Sequence, residues 1–110
     1  DQTEFLIELL TQQPGPYTIL GKTFKENTNL ILGSPSMLLA NMLTEQGIKF
    51  NHYDPFVDEV EPYFEKGTYI VTVPHEQFKT FAFPDGSIVI DVWRVMEIDN
   101  PKVTHIKVGN

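Results

Sequence analysis

Two stretches constrain the fold more than anything else in the chain: residues 67–73, GTYIVTV, and residues 87–93, SIVIDVW. Both are short, rich in β-branched residues, and apolar at consecutive rather than strictly alternate positions. Successive side chains of a strand point to opposite faces, so a strand apolar on both faces has to be covered on both sides. A parallel sheet held between two layers meets that condition. A further apolar run, residues 17–20, ends at Gly21, and residues 48–53 (IKFNHY) alternate before Asp54-Pro55. Both read as strands, and the alternating run 103–108 suits an edge strand.

Helical patterns lie between these strands. Residues 3–12 (TEFLIELLTQ) place Phe5, Leu6, Leu9 and Leu10 at helical spacing with Thr3 available as a cap, and Gln13-Pro14-Gly15-Pro16 stops that helix. The clearest helix opens at Ser34-Pro35, carries Met37, Leu38, Leu39, Met42 and Leu43, and ends at Gly47 in an expected left-handed cap. Residues 56–66 are acidic and broken by Pro62, which leaves a short solvated helix or an irregular crossover. Residues 74–79 read as the start of another helix whose end Phe81 and Phe83 pack, and Pro84-Asp85-Gly86 turns into the next strand. Strands alternating with helices predict an α/β fold, a three-layer Rossmann-like open sandwich with a mostly parallel sheet of about five strands. Residues 1–16 form an N-terminal helix and linker, packed on the domain or ending a connecting helix from an upstream one. Residues 17–110 form the α/β domain.

In such sheets ligands lie beyond the strand C-terminal ends at the switch point, which here collects residues 21–34, Asp54, residues 74–76 and residues 91–94. The segment from Gly21 to Ser34 exceeds the roughly 2 to 6 residues usual for a strand-to-helix connection, and long loops in compact domains are usually functional. It ends at a helix N-terminus, where unpaired amides and the helix dipole favour an anion. Fifteen acidic against eight basic residues give a net charge of −7, which argues against nucleic acid or an anionic membrane as the main partner. A bound phosphate therefore has to be held locally, and the nearby cations are Lys22, Lys25 and Arg94, the only arginine.

With 110 residues and 41% hydrophobic content the chain can form one domain with one core. No apolar run approaches the roughly 18 to 20 residues needed to cross a bilayer, and the start lacks the layout of a secretory signal. The absence of cysteine excludes disulfides, thiolate metal sites and a cysteine nucleophile in this chain, and is compatible with the cytoplasm, the expected location. Beginning at Asp1, the chain is expected to be a fragment or a trimmed product.

Neither phosphate-loop signature is present: there is no GxGxxG and no GxxxxGK followed by Ser or Thr. Asp54 stands where dinucleotide folds place a ribose-reading acid, yet without the glycines it reads as a turn-forming Asp-Pro. His52, His75 and His105 are scattered, and the acids between 58 and 65 lack the spacing of a calcium loop, so no metal is expected. Ser34 has no evident base and reads as a cap, and Lys25 by itself reads as a solvated loop lysine.

Several landmarks nevertheless fall in a known order: residues 20–25 (LGKTFK), Asn27-Thr28, Ser34-Pro35, Tyr53-Asp54-Pro55, residues 72–78 (TVPHEQF) and residues 90–94 (IDVWR). In that order, over about residues 17–96, they resemble the C-terminal nucleotide-sugar-binding domain of the UDP-glucose/GDP-mannose dehydrogenases. The resemblance implies an NAD-dependent four-electron oxidation of a nucleotide sugar's 6-hydroxyl to a carboxylate. It implies substrate-binding roles for Phe24, Lys25, Ser34 and Arg94, a nucleotide-sugar partner linked to UDP or GDP, and a homodimer or larger assembly of the parent enzyme. It assigns no catalytic residue and no cofactor to this chain, with NAD expected on a separate N-terminal domain and the catalytic cysteine on a central one. By itself the chain is expected to be inactive.

The chain also departs from that pattern. Where the family carries two acids and then an arginine before Ser-Pro, this sequence has Asn29, Leu30 and Leu32. The alternative reading is therefore a non-catalytic α/β module with a decayed nucleotide site, serving oligomerisation or regulation.

Overall fold

The structure is a computed structural model and describes residues 1–109. The chain runs α1 (Gln2–Thr11), β1 (Tyr17–Leu20), α2 (Pro35–Glu45), β2 (Asn51–Tyr53), β3 (Thr68–Val71), α3 (Glu76–Lys79), β4 (Ile88–Asp91) and β5 (Thr104–Lys107). The five strands form one sheet in the order β2-β1-β3-β4-β5, and every neighbouring pair is parallel. Residues 17–20 and the two doubly apolar stretches supply β1, β3 and β4, the three central strands. The run from 103 to 108 supplies the edge strand β5, as its alternation requires.

Register turns the sequence pattern into two cores. Ile19, Ile70, Ile90 and Ile106 are successive partners across four strands and lie on one face. Against them pack Leu6, Ile7 and Leu10 of α1 and Leu39, Ala40 and Leu43 of α2. Full burial of each leucine or isoleucine among them stabilises the fold by about 2 kcal/mol. The opposite face carries Leu20, Tyr53, Tyr69, Val71 and Val89, covered by Phe78 of α3 and by Phe83, Met96 and Val103. That second layer is largely irregular chain carrying aromatic rings, with Phe64 and Phe81 edge-on at 4.8 Å between centroids. Residues 56–66 take the irregular alternative, containing no helix.

Several local expectations are corrected. The cap of α1 is Asp1, whose Oδ1 accepts the Glu4 amide at 2.9 Å, and not Thr3. Ile7 rather than Phe5 faces the core, and Phe5 is exposed. β2 begins at Asn51, and Ile48 and Phe50, expected in the strand, precede it and pack against the edge of the core. The helix at 74–79 is a single turn. Gly47, with φ +73°, follows α2 as expected.

Candidate functional site

β1 leads through α2 to β2 on one side of itself, while β3 lies on its other side, so the sheet's order reverses at the β1/β3 junction. A cleft of about 500 Å³ opens beside the C-terminal ends of those strands. Phe24 and Lys25 from the loop after β1, Ser36 and Leu39 of α2, Val73 and Pro74 after β3, and Trp93 after β4 line it, and Leu6 of α1 closes one side. Phe24 and Trp93 are 55% and 57% exposed, leaving two aromatic faces open to a ligand. Among the lining residues Lys25 is the cation and Glu26 the anion. A larger groove of about 1020 Å³ lies at the opposite end of the sheet, between Tyr17, Ile48 and Phe50, with Lys49 as its charged lining residue.

The long loop is held by the protein's interior. Asp54, at the end of β2, has no exposed surface. Its Oδ2 accepts the amides of Lys22 at 2.7 Å and Thr23 at 3.3 Å, and its Oδ1 accepts the amide of Phe56 at 2.8 Å. His75, equally buried, approaches Asp54 Oδ2 through Nε2 at 2.9 Å, while its Nδ1 accepts the Asn27 amide at 2.8 Å. An amide can only donate, so Nδ1 is the acceptor and the ring carries its proton on Nε2. Thr23 Oγ1 donates to the Lys25 carbonyl at 2.8 Å, and Ser34 Oγ donates to the Thr23 carbonyl at 3.1 Å. Asn27 turns the loop with φ +58°, a region that asparagine tolerates better than most residues.

The rim of the cleft is tied together as well. Trp93 Nε1 donates to the Thr72 carbonyl at 2.8 Å, and Ser36 Oγ donates to Thr72 Oγ1 at 2.6 Å. Thr72 Oγ1 in turn donates to the Leu20 carbonyl at 3.1 Å. These bonds join α2, β1, β3 and the segment after β4 at one place.

Of the residues that the sequence resemblance points to, Phe24 and Lys25 line the cleft. Ser34 is buried beneath it as the α2 cap, accepting the Ser36 amide at 3.1 Å. That arrangement corrects the expectation of free amides here: Pro35 has no N–H and the Ser36 amide is taken, so α2 contributes its dipole rather than open donors. Arg94 follows Trp93 with φ +59°, is exposed, and does not line the cleft. Lys22 points elsewhere, to Asp58 at 2.9 Å. Burial alone would raise the Asp58 carboxyl, but the Lys22 ammonium and the Asp54 amide outweigh it and hold the carboxyl below its usual range. His52 donates to the Gly21 carbonyl at 2.6 Å, and burial keeps it below its ordinary value despite that bond. His105 pairs with Asp91 at 2.9 Å. Each histidine thus has its own partner, and among the described residues no group of three acids or histidines could hold a metal.

Position at the strand C-terminal ends brought Asp54, residues 74–76 and residues 91–94 together in the sequence, but it gave neither Trp93 its place in the cleft wall nor Asp54 its bond to His75.

A five-stranded parallel sheet with a cleft at its switch point, lined by Phe24, Lys25 and Trp93, defines an α/β domain of the open-sheet class. Residues 18–98 match the model of the UDP-glucose/GDP-mannose dehydrogenase family, UDP binding domain, and the chain belongs to that family. The fold resembles the UDP-N-acetyl-mannosamine dehydrogenase Cap5O of Staphylococcus aureus in derivative and native structures, at 20% and 18% identity and a TM-score of 0.79 in both. It also resembles the UDP-D-ManNAc dehydrogenase of Pyrococcus horikoshii, at 17% identity and a TM-score of 0.70. These alignments cover 98%, 99% and 96% of this chain but only 30%, 30% and 29% of those proteins. No curated protein matches the chain by sequence.

Proposed function

We propose that this chain is the substrate-binding domain of an NAD-dependent nucleotide-sugar 6-dehydrogenase, which converts the sugar C6 alcohol of a UDP- or GDP-linked sugar to a carboxylate. The observation that carries this reading is the convergence of Phe24, Lys25 and Trp93 on one cleft at the β1/β3 switch point. A lysine ammonium meets diphosphate oxygens with charge-assisted hydrogen bonds, and open aromatic faces suit a planar base or the apolar face of a sugar. In this reading Ser34 acts through the loop it ties down, and the exposed Arg94, next in the chain after Trp93, meets ligand atoms that extend past the cleft.

In this reading NAD is held outside this chain, and Asp54 supports that. The acid that would read a ribose, Asp54, is fully buried and spends both oxygens on backbone amides and His75. The dinucleotide and the catalytic thiol belong elsewhere in a longer cytoplasmic enzyme that assembles as a homodimer or larger. The chain's own residues bind and orient substrate.

The test is a titration of UDP-sugars and GDP-sugars followed by amide and indole NMR signals. Shifts confined to Phe24, Lys25, Trp93 and their neighbours are expected, and their absence at millimolar ligand overturns the reading. A second reading has its own observation: Leu30 and Leu32 are 64% and 94% exposed on the binding loop. A non-catalytic module would use them for assembly or regulation, and sedimentation would then show a stable oligomer indifferent to nucleotides.

A further inference from the structure

Phe24, Lys25 and Glu26 sit between two anchored residues, Thr23 and Asn27. Thr23 is anchored by Asp54 and by Ser34. Asn27 is anchored by two bonds to the segment after β3: its amide donates to His75 Nδ1 at 2.8 Å, and its Oδ1 accepts the Glu76 amide at 3.3 Å. The His75 ring is itself held at Nε2 by Asp54 at 2.9 Å and Thr23 Oγ1 at 3.2 Å, and it packs against the Phe56 ring at 4.6 Å and the Phe78 ring at 5.4 Å. It is fully buried, so no ligand in the cleft touches it.

We propose that His75 is the positioning residue of the binding loop: through Nδ1 it holds Asn27, and thereby presents Phe24 and Lys25 to the cleft. Asp54 serves the same end by fixing the tautomer, because a ring that donates from Nε2 keeps Nδ1 free to accept. A packing residue would contribute through its volume. A positioning residue contributes through its bonds to the loop, chiefly Nδ1 to Asn27 at 2.8 Å and more loosely Nε2 to Thr23 at 3.2 Å, and the two roles can be separated.

Two substitutions each keep half of the ring's bonding. In His75→Gln the side-chain amide reaches the Nε2 position and can still donate to Asp54, but leaves Asn27 without its acceptor. In His75→Asn the amide oxygen stands near the Nδ1 position and can accept from Asn27, while the contacts of Nε2 with Asp54 and Thr23 are lost. Hydrogen exchange of the Asn27 amide should accelerate about tenfold or more in His75→Gln and stay near the native rate in His75→Asn. UDP-sugar affinity should weaken about tenfold in His75→Gln alone. Nitrogen-15 spectra of the native ring should show Nδ1 unprotonated and Nε2 protonated, which requires no variant to fold.

A native ring protonated on Nδ1 overturns the proposal. So does equal Asn27 exchange in both variants, or a His75→Gln protein with a released Asn27 and unchanged affinity. The inference rests on the nucleotide-sugar reading only for its ligand. If exchange and tautomer behave as stated while no protein binds a nucleotide sugar, His75 still orders the loop and it is the ligand assignment that fails.

Discussion

The imidazole of His75 and the carboxylate of Asp54 meet at 2.9 Å, and neither side chain reaches the surface. The carboxylate also accepts the amides of Lys22, Thr23 and Phe56, so one side chain satisfies four donors from three segments. Removing it leaves those donors buried without acceptors, and each such group costs about 1 to 3 kcal/mol. Asp54→Ala should lose about 4 kcal/mol of stability, and Asp54→Asn, which keeps one accepting oxygen, about 2 kcal/mol. Urea denaturation of the two variants beside the native protein checks the order.

Gly21 has φ +121°, and a Cβ there would stand 2.7 Å from Val73 Cγ2 and 2.9 Å from the Val73 amide nitrogen. Backbone strain and overlap act together, so Gly21→Ala should cost about 3 kcal/mol. Gly33, with φ +75°, has no atom within 4 Å of its would-be Cβ. Gly33→Ala carries only the backbone term, about 1 kcal/mol. Equal midpoints for the two variants would contradict the close approach of β1 and β3 at Gly21.

Acid should weaken the fold in two stages. His52 lies below its ordinary 6.5, chiefly through burial, so the native state favours the neutral ring. Its contribution is complete above pH 6.5 and is lost as pH falls through the lower folded value. Asp58 lies below its ordinary 3.8, and its contribution is lost only as pH falls below that value. Unfolding midpoints measured from pH 7.5 to pH 4.5 should fall more steeply for the native protein than for His52→Gln.

Lys25 and Arg94 are both exposed, and neither side chain is in an ion pair among the described residues. Replacing either by alanine should leave stability within about 0.5 kcal/mol. Their effects on ligand should differ, because Lys25 lines the cleft and Arg94 does not. Lys25→Ala should weaken UDP-sugar binding by about tenfold or more, the worth of one charge-assisted hydrogen bond, and Arg94→Ala by less. The chain's single tryptophan, Trp93, stands in the cleft wall, so quenching of its fluorescence reports both titrations.

The sequence by itself determined the central sheet and its covering. Consecutive apolar residues at 69–71 and 88–90 demand a layer on each face whatever the rest of the chain does, and Ser34-Pro35 and Gly47 mark the ends of α2 through local backbone chemistry. Local signals also located Phe24 and Lys25 on a long loop at the strand ends. Only the tertiary structure decided what holds that loop and what walls the cleft. Asp54 and His75 are twenty-one positions apart and stand just after β2 and after β3, two strands that flank β1 without touching each other. They meet across the end of β1 because of the strand order, and no local propensity carries that order. For the same reason a histidine that looks isolated in sequence becomes the acceptor for Asn27.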